Sequence, residues 1–372
     1  MRGKHYFKRV FAALLNQKPE LPVGDEGVQA LCDVILHESG DKRDEVCARL
    51  DALFAKQESA LRQQITEKNN RSTVTRMETI CRKAIKLTPT LTTKQSAAEP
   101  IPVVFICDDA YAVPTAVAIL SMLSNKLEDT CYEITVLGRM LNEESLRLFD
   151  AFDPIVRVRQ CAVEKHAVYA NTHPHVSDAA LLKFDIPHLL GEHDKVLYLD
   201  SDILVLGDLS ALYATKLGNN FAAVIMDLLG THYRFDQRTG VKHYFNSGVL
   251  LLNTKKMRED DISTALYQNK ANDPWQMMMD QDTFNVTLKD NVHFLHPRYN
   301  LMYANNQESG WSTAKMAAFY GISEQQMQDA MDQPVIQHLS SKKKPWNSIL
   351  AEKYLDYQEY RILLDLLLEQ KE

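Results

Sequence analysis

A series of short apolar segments after residue 100 constrains the fold more than any other feature of this chain. The segments are rich in β-branched residues, and the stretches between them are long enough to form helices. They are Ile101–Cys107, Tyr132–Leu137, Ile155–Val158, Lys195–Leu199, Phe221–Met226 and Phe245–Leu252. Continuous apolar strands that alternate with helices are typical of a mainly parallel sheet that is buried on both faces. The sequence therefore predicts an α/β fold from about residue 101.

Three of these segments run directly into an aspartate. The residues that follow them are Asp108, Asp200 and Asp227. A single aspartate after a strand is ordinary turn chemistry, but three in one domain exceed that expectation. Because ligands of open α/β sheets bind at the carboxyl ends of the strands, we expect the functional site at this edge of the sheet.

The part of the chain before this domain has a different character. Residues 1–88 show apolar spacing typical of helices, and residues 89–100 contain two prolines and few large apolar groups. We therefore expect a helical N-terminal unit over 1–88 that serves docking or self-association, a linker over 89–100, an α/β domain over 101–350 and a C-terminal helix over 351–372. The first residues also fit a basic amphipathic helix on a membrane surface, although packing of this helix on its neighbours is the simpler interpretation.

Charge and cysteine usage narrow the function classes. Up to residue 99 the chain has 17 Lys and Arg residues against 13 Asp and Glu residues, whereas the rest has 25 against 36. A net charge of −7 argues against a nucleic-acid partner, because there is no basic excess to neutralise phosphates. The six cysteines form no CxxC pair, which indicates reduced thiols. Together with the lack of a long apolar signal core or spanning segment, this predicts a cytoplasmic protein, with peripheral association at the inner membrane face as an extension.

The strongest local motif is an Asp-x-Asp that follows an apolar segment. Asp200 and Asp202 project to the same side of an extended chain, and two such carboxylates repel each other unless a cation lies between them. The simpler alternative is a solvated acidic turn. A phosphatase of the haloacid dehalogenase type also places Asp-x-Asp after a strand, but Leu204 and the late position of the motif disfavour that interpretation.

Taken together, the motifs resemble glycosyltransferase family 8, whose members are retaining enzymes that use nucleotide-sugar donors. The resemblance covers about residues 101–350, where the matching blocks occur in the family's order. They are Val103–Tyr111, Lys195–Asp202, Tyr244–Asn253, Asp280–Asn285 and His338–Trp346. The resemblance implies a GT-A fold, a Rossmann-like nucleotide-sugar-binding domain.

The resemblance also implies a role for individual residues. Asp200, Asp202 and His338 would bind a metal, and an imidazole ligand favours Mn²⁺, with Mg²⁺ as the alternative. Gln281 and Asp280 would flank the reacting carbon as catalytic residues. Residues that would bind the nucleotide-sugar are Asp108, Tyr111, Lys183, Asp200, Asn246, Gly248 and Lys344, and residues on the acceptor side are His175 and Asp227.

Several of these residues have simpler interpretations when they are taken alone. His338 is then a lone histidine, and Lys344 belongs to a solvated basic run. Lys183 stands where family members usually carry an arginine, so the positive charge is kept but the bidentate fork is lost. Ala110 stands where they often carry an asparagine, so a polar contact to the nucleotide is lost.

The expected reaction is transfer of a hexose from a UDP-sugar to a hydroxyl of a glycan or glycolipid in surface polysaccharide or lipopolysaccharide synthesis. Gln281 is an amide and too weak a nucleophile for double displacement, so the resemblance favours a front-face transfer with retention. A glycogenin-like or protein-directed transferase is the alternative enzyme. A scaffold that has kept only the donor-binding fold is the non-enzymatic alternative.

Overall fold

A computed structural model describes residues 99–161, 178–273, 276, 278–289, 291–302, 309–340, 344–347 and 355–371. The chain divides into two compact units. One comprises residues 95–342, and the other comprises residues 1–94 and 343–372. The predicted helical unit over 1–88 lies outside the described residues, and so does nearly all of the predicted linker.

The larger unit contains nine described strands. Seven of them form one sheet in the order β3-β2-β1-β4-β7-β6-β8, and the other two, β5 and β9, form a small antiparallel ribbon. The strands in chain order are β1 (Ile101–Cys107), β2 (Tyr132–Gly138), β3 (Val156–Gln160), β4 (Val196–Leu199), β5 (Ile203–Val205), β6 (Ala222–Met226), β7 (Phe245–Leu252), β8 (Val292–Phe294) and β9 (Ile336–His338).

The main sheet is mostly parallel, as the sequence predicts. Strands β3, β2, β1 and β4 run in one direction, and β6 and β8 run parallel to each other. Strand β7 pairs antiparallel with both β4 and β6. The amino end of β7 therefore lies beside the carboxyl ends of its two neighbours. Because β7 is reversed, its first residues lie at the predicted site.

Helices fill the connections between the strands. The described helices of the larger unit are α1 (Asp109–Ser124), α2 (Glu143–Asp150), α3 (Ile186–Leu189), α4 (Ser210–Tyr213), α5 (Leu228–His232), α6 (Phe235–Thr239), α7 (Thr254–Glu259), α8 (Ile262–Asn272), α9 (Met279–Leu288), α10 (Thr313–Tyr320) and α11 (Glu324–Asp332). Short 3₁₀ segments span Asp178–Asp185 and Pro297–Tyr299.

The core of this unit forms because its central strands are apolar on both faces. Every residue of β1, β4 and β6 is buried. The first crossover helix, α1, begins where the Asp108 side chain accepts a hydrogen bond from the Tyr111 amide, and it buries most of its length against the sheet. The chain thus moves from a buried strand into a capped helix at an aspartate.

The second unit is described over two short ranges. A 3₁₀ turn spans Pro345–Asn347, and α12 (Leu355–Lys371) is a helix of 17 residues that places the Tyr357 ring 5.6 Å from the Trp346 ring. Among all described helices, none is both long and apolar enough to cross a bilayer.

Candidate active site

The topology collects the predicted side chains at one edge of the sheet. Asp108, Asp200 and Asp227 directly follow β1, β4 and β6, as the sequence indicates. Because β7 is antiparallel, its start carries Asn246 and Gly248 to the same edge, and the Asp200 amide donates to the Gly248 carbonyl at 2.8 Å.

The ribbon of β5 and β9 adds a histidine to this edge. Ile203 pairs with His338, and the Leu339 amide donates to the Asp202 carbonyl at 2.8 Å. As a result, His338 Nε2 lies 3.2 Å from Asp202 Oδ1 and 3.9 Å from Asp200 Oδ2. One ligand atom from each of these three side chains lies within 4.8 Å of the other two.

These three side chains fit a divalent cation. Ligands about 2.1 Å from such an ion lie roughly 3 to 4 Å apart, which matches the two histidine–carboxylate separations. The donor set is also suitable, because carboxylates and an imidazole are ligands for Mn²⁺. The sequence motif and the ribbon therefore create a candidate metal centre from residues that are about 140 positions apart in the chain.

Gly248 lies directly against this cluster. A methyl group on its Cα would lie 2.4 Å from His338 Cε1 and 2.7 Å from Asp200 Oδ2. Real Cβ atoms do not make contacts this short. Glycine at this position thus allows β7 to pass close beneath the ligand atoms.

A buried lysine links the metal cluster to the start of α9. Lys183 Nζ lies 2.8 Å from Asp280 Oδ2 and 3.1 Å from Asp200 Oδ1, and the Ser247 hydroxyl donates to the same Asp280 oxygen at 2.9 Å. Burial alone would lower the pKa of Lys183, but the charges of Asp200 and Asp280 outweigh it and raise the pKa. Lys183 is therefore a fixed cation between two carboxylates.

The next residue of α9, Gln281, joins two strand ends. Its Oε1 accepts from Asn246 Nδ2 at 2.9 Å and from the Ser247 amide at 3.1 Å, and its Nε2 donates to Asp227 Oδ2 at 3.0 Å. Burial raises the pKa of Asp227, although the Gly230 amide and Gln281 donate to its carboxylate. Asp227 is thus a buried carboxylate that orients the Gln281 amide.

Asp108 and Tyr111 lie at the start of α1, next to the metal motif. The Tyr111 amide donates to Asp108 Oδ1 at 3.2 Å. Helix α1 is tied to the Asp-x-Asp loop because the Thr115 hydroxyl donates to Ser201 Oγ at 2.7 Å, and Ser201 donates to the Ile106 carbonyl at 3.0 Å. The predicted nucleotide residues and the candidate metal ligands therefore belong to one edge of the sheet.

Two further predicted site residues are His175 and Lys344. His175 lies outside the described residues. Lys344 belongs to the second unit, where its ammonium lies 5.8 Å from the centre of the Trp346 ring. Their roles on the acceptor side and at the diphosphate stay predictions.

Comparison with known proteins identifies the family. Residues 102–350 match the family described as glycosyl transferase family 8, which is more than half of the chain. The chain belongs to glycosyltransferase family 8. It is a glycosyltransferase, and the predicted fold class and enzyme class are confirmed.

Curated relatives from three bacteria are similar to this family 8 chain. General stress protein A of Bacillus subtilis is 26% identical over 270 residues, which cover 68% of this chain and 90% of that protein. Glycosyltransferase GlyE of Streptococcus pneumoniae is 32% identical over 180 residues, or 48% of this chain and 40% of GlyE. Lipopolysaccharide 1,2-glucosyltransferase of Escherichia coli is 23% identical over 263 residues, or 67% and 74%.

Among solved structures, this family 8 chain resembles the galactosyltransferase LgtC in complex with donor and acceptor sugar analogues. The match has a TM-score of 0.59 at 26% identity and covers 70% of this chain and 95% of LgtC. An active-site mutant of LgtC matches with a TM-score of 0.61. The larger unit accordingly has the GT-A fold of these glycosyltransferases.

Sequence reasoning missed three side chains of this family 8 site. Tyr198 donates to Asp200 Oδ1 at 2.5 Å, the Ser247 hydroxyl holds Asp280, and Asn300 contacts His338. Strand alternation could have found Tyr198, because it lies two residues before Asp200 and therefore on the same side. Asn300 carries no such signal, because an asparagine after a proline-containing turn is ordinary loop chemistry.

Proposed function

We propose that this family 8 enzyme uses a divalent metal ion to move a hexose from a UDP-sugar to a hydroxyl of a glycan or glycolipid acceptor, with retention of configuration. The observation that supports this proposal is the convergence of Asp200, Asp202 and His338 on one point above Gly248. Two carboxylates and an imidazole can hold a divalent ion, and Gly248 leaves room for them.

The three ligands would hold Mn²⁺, and the ion would neutralise charge on the departing UDP. The chain's own contribution is to position the ligands. Tyr198 and Lys183 both contact Asp200 Oδ1, so that Oδ2 is the oxygen that faces His338. Mn²⁺ is the ion that we favour, because imidazole is a better ligand for it than for Mg²⁺.

At the proposed donor-sugar site, the described polar side chains are held in place by hydrogen bonds to one another. Asp280 is held by Lys183 and by Ser247, and Asn246 is held by Gln281. These contacts leave little rotational freedom, so carboxylate and amide groups are prepared to receive sugar hydroxyls without reorganisation. In this arrangement Lys183 orients Asp280 and Asp200, and the direct donor contact that the family resemblance implies stays a prediction.

Retention can arise by double displacement or by front-face transfer, and the same groups favour the second route. A double displacement needs a carboxylate that is free to attack the sugar, but Asp280 and Asp227 are each about 5% exposed and are engaged by hydrogen-bond donors. Gln281 is an amide and a poor nucleophile. We therefore favour attack by the acceptor hydroxyl on the face that UDP leaves, with the departing diphosphate accepting the hydroxyl proton.

The acceptor is proposed from relatives. The Escherichia coli relative is a lipopolysaccharide glucosyltransferase, and LgtC is a galactosyltransferase that was crystallised with donor and acceptor sugar analogues. These names favour a glycan or glycolipid of the cell surface. Location in the cytoplasm with peripheral contact at the inner membrane face, and self-association through residues 1–88, stay predictions.

The test is a panel of UDP-hexoses with and without Mn²⁺, scored for release of UDP in the presence and absence of lipopolysaccharide-type acceptors. We expect Mn²⁺-dependent release that EDTA abolishes and that Asp202→Ala eliminates. Asp194→Ala is the matched control, because Asp194 is 75% exposed on the surface and its loss should leave activity unchanged. Activity that survives EDTA would contradict the metal role. Transfer of a labelled sugar to the enzyme itself, in the absence of acceptor, would contradict the glycan acceptor.

A further inference from the structure

A continuous chain of side-chain hydrogen bonds runs from His338 into the protein. His338 Nδ1 lies 2.9 Å from Asn300 Oδ1, Asn300 Nδ2 lies 2.8 Å from Asn246 Oδ1, and Asn246 Nδ2 lies 2.9 Å from Gln281 Oε1. Gln281 Nε2 then donates to Asp227 Oδ2. These hydrogen bonds therefore connect a candidate metal ligand to a buried carboxylate through three side-chain amides.

Two backbone amides set the direction of this chain. A backbone N–H can only donate, so the Ser247 amide identifies the oxygen of the Gln281 side chain, and the Gly248 amide identifies the oxygen of the Asn246 side chain. Each side-chain nitrogen must then point to the next residue in the chain. Hydrogen bonding to the backbone therefore sets the orientation of both side-chain amides.

The direction carries through to the histidine. Asn246 Oδ1 accepts from Asn300, so the Asn300 nitrogen faces Asn246 and its oxygen faces the imidazole. An oxygen at 2.9 Å from Nδ1 requires a proton on Nδ1. In the neutral ring the lone pair is then on Nε2, the atom that faces Asp202 and Asp200.

Asn300 is held firmly enough to impose this state. It is 1% exposed. Its backbone amide donates to the Pro297 carbonyl at 3.0 Å, at the end of a 3₁₀ turn. The next residue, Leu301, accepts from the His338 amide at 2.9 Å and pairs with Gln337. The turn that carries Asn300 and the strand that carries His338 are thus connected through their backbones as well as their side chains.

We propose that Asn300 is a positioning residue that fixes the His338 tautomer for metal binding and couples this ring to Asn246 on the donor-sugar side. The proposal rests on the proposed function, because it takes His338 to be a metal ligand. Asn300 has two separable tasks. Its oxygen orients His338, and its nitrogen holds Asn246.

The experiment measures Mn²⁺ binding by electron paramagnetic resonance of the free ion, with the full chain, in the presence and absence of UDP. We expect Asn300→Ala to weaken Mn²⁺ binding about 10- to 100-fold, the range typical for removing a group that orients a metal ligand. Asn253→Ala is the matched control. Asn253 follows the carboxyl end of β7, roughly 23 Å along the strand from Asn246. Its side chain donates to the Asn220 carbonyl. This control should melt at a lower temperature but bind Mn²⁺ as the wild type does.

Asn300→Asp separates the two tasks. An aspartate keeps an oxygen for Nδ1–H but has no donor for Asn246. We expect Mn²⁺ affinity within about threefold of wild type and a fall in kcat of about tenfold, because Asn246 Oδ1 then keeps only the Gly248 amide as a donor and faces a carboxylate oxygen in place of the Asn300 amide. A general structural defect would lower both quantities together.

The outcomes separate this inference from the proposed function. If wild type binds no Mn²⁺ with or without UDP, the metal proposal fails first. If wild type binds Mn²⁺ and folded Asn300→Ala binds it equally well, the positioning role is wrong. Equal loss of Mn²⁺ affinity in Asn300→Ala and Asn300→Asp would also overturn it, because the retained oxygen should have preserved binding.

Discussion

Replacing Gly248 by alanine is the most informative single perturbation of this site. The added methyl group would lie 2.4 Å from His338 Cε1, 2.7 Å from Asp200 Oδ2 and 2.9 Å from Asn246 Oδ1. Carbon–carbon contacts are comfortable at about 3.5 Å or more, so the histidine ring must move by roughly 1 Å. The methyl group therefore displaces two candidate metal ligands and Asn246, a residue of the proposed donor-sugar site, at once.

The size of the effect follows from this displacement. An extra methyl group in a packed site typically costs about 1–3 kcal/mol of stability, which a folded domain can tolerate. A shift of about 1 Å in catalytic groups can reduce activity on the order of 100-fold. We therefore expect a folded Gly248→Ala protein with Mn²⁺ affinity and transfer activity reduced about 100-fold.

Gly207→Ala is the matched control for this substitution. There the nearest atom to an added methyl group is Val335 Cγ1 at 3.5 Å, an ordinary contact. This variant should bind Mn²⁺ normally and should gain up to about 1 kcal/mol of stability, because alanine restricts the unfolded chain. Calorimetric titration with Mn²⁺ and thermal melting measure both quantities. Wild-type Mn²⁺ affinity in folded Gly248→Ala would refute the close-packed metal site.

Three further predictions concern the charged residues. Lys183→Met leaves the Asp200 and Asp280 carboxylates without their shared cation, which should cost about 3–5 kcal/mol in denaturant unfolding, with partial recovery at low pH. A loss below 1 kcal/mol would contradict the buried cation. Because burial raises the folded-state pKa of Asp227 above its ordinary value of 3.8, stability conferred by its protonated form should fall as pH rises from about that value to the raised pKa. Asp227→Asn should lack this fall in thermal melts recorded at a series of pH values above 3.8, and a pH profile equal to that of the wild type would contradict the raised pKa of Asp227. Asp200→Ala and Asp202→Ala should each abolish metal-dependent transfer in a UDP-release assay, and activity retained in either would remove that residue from the metal set.

The sheet could be predicted from sequence because its signal is local. Strands β1, β4 and β6 are continuous apolar runs, and the aspartate that follows each of them marks where the buried segment stops. The reversal of β7 could not be predicted in this way. A strand buried on both faces has the same apolar pattern in either direction, and its direction is decided by pairing with β4 and β6.

The residues of the site likewise differ in whether local sequence predicts them. Asp200 and Asp202 are predictable because they lie two residues apart and follow a strand, whereas His338 required the resemblance to a family. The roles of Asn300 and Lys183 depend on contacts between residues 38 and 97 positions apart, respectively, and no spacing rule connects such residues. Lys183 in particular is 3% exposed, and its charge is stabilised there by the carboxylates of Asp200 and Asp280.

The measurement that tests the central claim most directly is calorimetric titration of UDP into the full chain with Mn²⁺, with EDTA and in the Asp202→Ala variant. The account predicts that UDP binds the wild type in the presence of Mn²⁺, that EDTA removes this binding, and that Asp202→Ala shows no Mn²⁺-dependent binding. UDP affinity that is the same in all three conditions would contradict a metal centre formed by Asp200, Asp202 and His338.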